Sequence, residues 1–204
     1  MPRIDDYINA RNLAVEKLSQ ESFEKIAQRS GFELPGGNSL HIPFLDRTYR
    51  AGYPQFEFTD QVDGQKEVPI QEQVLILHYL MAAEIPALSG QWISYREIPG
   101  ASFYFGAFIK RAVDPLKKVF GQNIAGFSRS AEKLKARKIE NGDAGFEFSV
   151  LPAVPLQVIL WEGDDEFPAE ANILFDKTIG QMLSPEDVAW LAGMVVYRLI
   201  ALSR

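Results

Sequence analysis

The chain has 204 residues, 47% of them hydrophobic and 24% charged, and a net charge of −6. That is an ordinary globular balance with enough apolar content for one sizeable domain, and an acidic protein gains nothing from counterion release on nucleic acid. It holds no cysteine, which excludes disulfides, cysteine-ligated zinc, iron–sulfur clusters and a thiol nucleophile within this chain. The amino terminus MPRIDDYINA lacks an apolar stretch and is not expected to be a signal peptide. No apolar run approaches the ~20 residues that span a bilayer. The expectation is a soluble cytoplasmic protein with neither a nucleic-acid nor a membrane partner.

Ile4 to Arg29 is predicted helical, with Ile8, Leu13, Val15, Leu18, Phe23 and Ile26 on one stripe. Ser19 or Ser22 is placed to break it by capping a second segment, and Gly31 stops it. Pro35-Gly36-Gly37-Asn38 reads as a turn. A meander of three or four strands follows through Leu40–Phe44, Thr48–Arg50 and Gln55–Phe58. Asp63-Gly64 is a loop, and Pro69 opens a helix from Ile70 to Glu84 with Val74, Leu77, His78 and Met81 on one face.

Trp92 to Tyr95 is predicted as a strand closed by Pro99-Gly100. Ser102 is placed to cap an aromatic helix running to Val113, and Pro115 starts a further turn to Phe120. Asn123 to Lys138 is expected to be helical, Asn141-Gly142-Asp143 a turn, and Ala144 to Val150 an alternating strand. The stretch Val154 to Ile179 organises the rest. Its apolar run Leu156 to Trp161 reads as a buried strand, Gly163 and Pro168 bracket an acidic loop, and a second apolar run ends on Asp176. Ser184-Pro185-Glu186-Asp187 starts a last helix that runs almost to Arg204. The fold class expected is α+β in a single domain, 1–204, with antiparallel strands and packed helices.

Sliding the chain on itself by 114 residues lays Gly31-Phe32-Glu33-Leu34 on Gly145-Phe146-Glu147-Phe148, and Glu72, Val74 and Leu77 on Glu186, Val188 and Leu191. Two readings are open. One is an internal repeat, 1–87 and 122–204, joined by 88–121. The other is two unrelated α+β segments with common turn chemistry.

Four carboxylates, Glu162, Asp164, Asp165 and Glu166, crowd the acidic loop, and Asp176 stands at a strand end. Oxygen ligands suit a hard cation, so Asp164, Asp165 and Asp176 form a candidate metal set, although the alternating spacing of a calcium loop is absent. A solvated turn explains the same residues. The aromatics Trp92, Tyr95, Phe103, Tyr104, Phe105 and Phe108 lie among Arg96, Glu97, Lys110 and Arg111. Aromatic faces beside guanidinium groups suit a planar anionic ligand, and core packing is the alternative. His41 and His78 are the only histidines, and either could serve as an axial ligand. No nucleophile elbow surrounds Ser89 or Ser94, and Gly36-Gly37 lacks the rest of a phosphate-binding loop. Glycosidase-type carboxylate pairs stay open, because their spacing is spatial rather than sequential.

Two long strings carry a family resemblance: PLQVILWEGDDEFPAEANILFD (Pro155 to Asp176) and LSGQWISYREIPGASFY (Leu88 to Tyr104). Arg111, Pro115-Leu116, Phe120-Gly121 and the helix start Leu183 to Asp187 follow the same pattern. Together they resemble the domain of unknown function 3786 family, found in anaerobic bacteria and archaea, from about residue 20 to the end. The resemblance implies no activity. It does imply a neighbourhood, since some members resemble fusions to an iron–sulfur module of corrinoid iron–sulfur proteins. Without cysteine here, any such cluster would belong to a partner.

Three functions are therefore expected in turn. The first is a non-enzymatic binding or accessory protein for a large planar cofactor, a corrinoid (cobalamin-type tetrapyrrole) first, with an iron–sulfur or corrinoid protein as partner. Trp92, Tyr95, Tyr104 and Trp161 would contact the ring, Arg96 and Arg111 its polar substituents, and His78 would be the axial ligand. The second is an enzyme using Glu162, Asp164, Asp165 and Asp176, with a divalent cation. The third is a protein–protein interaction module.

Overall fold

The computed structural model describes residues 4–34 and 36–203. Pro35, assigned to a turn above, lies outside them. The chain divides into two compact units, Met1–Pro86 with Gln181–Leu183, and Ala87–Gly180 with Ser184–Arg204.

The first unit begins with two helices, α1 (Ile4–Ser19) and α2 (Phe23–Ser30). Ser22 makes the break: its hydroxyl accepts the Lys25 N–H, which satisfies one of the free donors at a helix start. Gly31 ends α2 at φ 70°, a left-handed position that costs glycine nothing. The buried face of α1 is narrower than its sequence suggests. Ala14 and Leu18 are buried, whereas Ile8 is exposed and Leu13 is 67% exposed. Leu13 points about 100° away from Ala14 around the helix, so it leaves the seam that α1 presents to the unit.

Three antiparallel strands follow, β1 (Ser39–Phe44), β2 (Arg47–Gly52) and β3 (Glu57–Asp60), in the order β1-β2-β3. The register pairs Leu40 with Ala51 and Ile42 with Tyr49, and all four side chains are buried. Helix α3 (Ile70–Leu80) packs on α1 and is started by Pro69. It stops four residues short of the expected Glu84, with Met81 as its cap. The Tyr49 hydroxyl donates to Glu72, and Arg11 reaches Gln73 Oε1 (2.7 Å) and the Phe56 carbonyl (2.9 Å).

The second unit is built on a five-stranded antiparallel sheet, ordered β4-β8-β7-β6-β5. Its strands are β4 (Trp92–Ser94), β5 (Arg137–Ile139), β6 (Ala144–Leu151), β7 (Val154–Trp161) and β8 (Glu170–Asp176). Central β7 is buried along its length except at Trp161, as an apolar run broken only by Gln157 requires. Its one interior polar residue, Gln157, donates to Glu147 Oε2 (3.0 Å), which also takes Arg137 (2.7 Å).

The helices of this unit are α4 (Phe105–Phe108), α5 (Asp114–Phe120), α6 (Ile124–Lys133) and α7 (Pro185–Leu202). Ser184 and Asp187 form a reciprocal capping box at the start of α7. The expected helix to Lys138 ends instead at Lys133. Lys135 takes φ 56°, and Arg137–Ile139 crosses over to pair with β6. Ser102 does not cap the aromatic helix, because it lies inside a short 3-10 turn, Ala101–Phe103.

The fold is thus α+β with antiparallel sheets of three and five strands. The 114-residue offset is not matched by equivalent structure throughout: Gly31 caps a helix whereas Gly145 lies inside β6. Among the described residues no helix is long and apolar enough to cross a membrane.

Candidate functional site

The segment from β4 to α5 gathers most of the aromatic and cationic residues singled out above. Ser94 caps a 3-10 turn, Tyr95–Glu97, by donating its N–H and its Oγ–H to Glu97 Oε2, each at 2.8 Å. These donors hold the Glu97 carboxyl below its usual range. After the second turn, α4 runs directly into a five-residue π-helical turn, Ile109–Val113, and then into α5.

Pro115 accounts for the widened turn. It has no N–H to return, and its ring would collide with the carbonyl four residues back, which is that of Arg111. The helix absorbs the conflict by opening one turn: the Asp114 N–H reaches the Ile109 carbonyl. The widened turn lies against α7 at Gly193. A Cβ there would stand 3.3 Å from the Arg111 carbonyl oxygen and 3.5 Å from its Cβ. Glycine therefore permits this approach, and the approach lays the Arg111 guanidinium over Trp190, 4.3 Å from the ring centroid.

Around that contact the unit collects two tyrosines and an acid. Tyr95 is 1% exposed, stacks flat on Phe108 (4.3 Å, 3°) and donates its hydroxyl to the Pro185 carbonyl (2.7 Å). Burial, with the nearby Tyr104 and Glu186, pushes its phenol up to about 12 against the opposing charge of Arg111. The charge of Glu186, to which Tyr104 is hydrogen-bonded, raises the Tyr104 phenol. Arg111 as a whole is half-buried, yet its Nη1 is fully buried and makes no hydrogen bond among the described residues. Arg96 lies 3.9 Å over the Phe105 ring, and Phe103, 86% exposed, meets Tyr104 edge-on at 5.0 Å.

Of the seven residues named for a cofactor, Tyr95, Tyr104 and Arg111 share this neighbourhood. Arg96 is exposed on the same segment, and Trp92 is half-buried on β4. Tyr95 offers no free face, because Phe108 covers one side and Phe175 meets it edge-on. Trp161 is elsewhere. It pairs with Glu170 at one end of β8, whereas Trp92 pairs with Asp176 at the other, a separation of about 20 Å along a strand. His78 is half-buried in α3 of the first unit. With only two histidines in the chain, His41 and His78, the second unit has none.

The three carboxylates named for a metal do not meet either. Asp164 and Asp165 follow Trp161 at the far end of β8 from Asp176. Asp164 Oδ1 already accepts the N–H groups of Glu166 (2.8 Å) and Phe167 (2.7 Å). Asp176, 2% exposed, accepts five hydrogen bonds: from the Ser89 N–H and hydroxyl, the Gly90 N–H, and the Thr178 N–H and hydroxyl, at 2.7–3.2 Å. Burial alone would raise its pKa, but the Thr178 and Ser89 donors outweigh burial and bring it to about 2. Among the described residues, no group of three or more His, Asp or Glu is placed to hold a metal ion.

Glu186 and Trp190 are not among the site residues that the sequence pattern points to. Both lie on α7, about 80 residues from Arg111, and no local pattern links them. Pro115 was the one signal within reach, as a proline inside an otherwise helical run.

Comparison with curated proteins and with solved structures finds no match. A family model described as domain of unknown function (DUF3786) matches residues 22–198. That span takes in both strings that carry the resemblance, the π turn and most of α7, so the chain belongs to the domain of unknown function 3786 family.

Proposed function

We propose that the chain is a non-catalytic binding protein whose ligand lies on the aromatic–guanidinium face of the second unit, and that the ligand is a large planar ring, a corrinoid first. The observation that carries this reading is the pairing of ring and charge. Phe103 and Tyr104 stand edge to face at the surface, Arg96 covers Phe105, and Arg111 covers Trp190. Exposed aromatic area with fixed guanidinium groups holds a flat ring by stacking and its polar edge by charge-assisted bonds. The corrinoid class is favoured by the family resemblance, since some members resemble fusions to an iron–sulfur module of the kind found in corrinoid iron–sulfur proteins.

Because the second unit has no histidine, the reading assigns no axial ligand there. A bound corrinoid would keep its own axial groups. The test is a thermal-shift measurement with cobalamin, cobinamide and haem, accompanied by absorption spectra. Binding at 100 times Kd stabilises by roughly 2.7 kcal/mol, a readily measured rise in melting temperature. No rise with any of the three removes the reading.

The near-complete exposure of Phe103 favours a second reading, a protein–protein contact. It predicts no small-molecule response and loss of a co-purifying partner in Phe103→Ser.

A further inference from the structure

The Arg111 guanidinium is held on two sides. The π turn, forced by Pro115, sets its backbone against Gly193 of α7, and the Trp190 ring lies 4.3 Å beneath it. Its Nη1 is buried and finds no acceptor among the described residues. A buried charged donor without an acceptor is unfavourable, and buried polar groups are nearly always paired. Of the two acids on α7, Glu186 is hydrogen-bonded with Tyr104 and Asp187 accepts from Ser184. The group is therefore fixed in place, charged, only half-buried as a residue, and short of one acceptor.

We propose that Arg111, laid on Trp190 by the π turn, is an oxyanion site, and that the ligand of this face carries a carboxylate or phosphate group that docks there. This rests on the binding role proposed above and names the chemical group recognised. A planar guanidinium presents its N–H groups as a fork that matches two oxygens of one carboxylate or phosphate. Trp190 holds the plane of the fork, so little side-chain freedom is lost on binding. A docked oxyanion bonds the N–H groups on the accessible side of the fork, while buried Nη1 and the Trp190 ring hold the other side in place.

The chain has three tryptophans, so labelling with 5-fluorotryptophan gives three fluorine resonances, and Trp190→Phe assigns the one of interest. Titration with sodium acetate and with inorganic phosphate, at constant ionic strength set by chloride, is expected to shift the Trp190 resonance saturably. Arg111→Gln abolishes the shift. Arg111→Lys, which keeps the charge and guards against misfolding, weakens it more than about tenfold because the fork is lost. A response to acetate alone assigns a carboxylate, and one to phosphate alone assigns a phosphate. A shift that never saturates, or one that survives in Arg111→Gln, overturns the inference.

The corrinoid probes separate this inference from the reading beneath it. Cobalamin carries a phosphodiester and cobinamide does not. Equal binding of the two leaves the planar-ring reading standing and contradicts the anion site. Anion binding at Arg111 with no response to cobalamin, cobinamide or haem contradicts the planar-ring reading and supports the anion site.

Discussion

Asp176 and Arg111 are both charged side chains of the second unit drawn into its interior, and the unit treats them oppositely. Asp176 accepts five hydrogen bonds from three residues and keeps its charge at almost no exposure. Arg111 is given a ring to lie on and a buried Nη1 with no acceptor. A fully satisfied buried charge ties chain segments together: Asp176 links the Ser89-Gly90 turn to the end of β8. An incompletely satisfied one is held in place by packing and has bonding capacity left for something outside the chain. Residue type alone does not separate the two cases, since both looked like site residues in the sequence.

The contrast is broken most severely by Asp176→Asn. The amide turns donors toward the donors of Ser89, Gly90 and Thr178, and removing one partner of a buried charged network costs about 3 kcal/mol or more. Denaturant unfolding should show the midpoint fall at an unchanged slope. A loss under about 1 kcal/mol would place Asp176 outside the framework.

Acid should act on the same group. The folded pKa, about 2, lies below the ordinary aspartate value of 3.8. Its contribution is therefore complete above about pH 4 and is lost as the pH falls through the folded pKa. The two values imply about 2 kcal/mol from this carboxyl across pH 4 to 2. Unfolding free energies measured across that range in wild type and Asp176→Asn should converge as the pH falls.

A smaller change sharpens the comparison. Ser89→Ala removes the hydroxyl donor at 2.9 Å but leaves the Ser89 N–H. It should cost about 1 kcal/mol and move the acid transition to higher pH.

The smallest effect on stability is expected at the other pole. Arg111→Met removes the cation–π contact, worth about 0.5–2 kcal/mol, and also removes a buried donor that had no acceptor. The two changes oppose each other, so thermal unfolding should stay within about 1 kcal/mol of wild type while binding suffers.

What the sequence made legible follows the range of the forces involved. The capped starts at Ser22 and Ser184, the stop at Gly31 and the buried run of β7 depend on neighbours a few residues away, and each is found where composition places it. The sequence pattern carries the helix on to Lys138, into a strand whose pairing partner is β6, a contact that helical propensity does not report. The exposure of Leu13 depends on which face of α1 meets the rest of its unit. The aromatic–basic segment was visible as a segment, but its division into buried Tyr95, exposed Phe103 and clamped Arg111 was not. That division depends on a π turn opened by Pro115 and on a glycine of α7 far along the chain. From sequence alone Asp176 fits either a turn or a site residue. Its role is set by Ser89, 87 residues away, and by Thr178.

Equilibrium dialysis of cyanocobalamin against wild type and Arg111→Met tests the central claim most directly. The account predicts saturable binding by wild type and affinity at least about tenfold weaker in the variant, the loss expected for one charge-assisted contact, with both proteins equally folded. No saturable binding, or the same affinity in both, would contradict it.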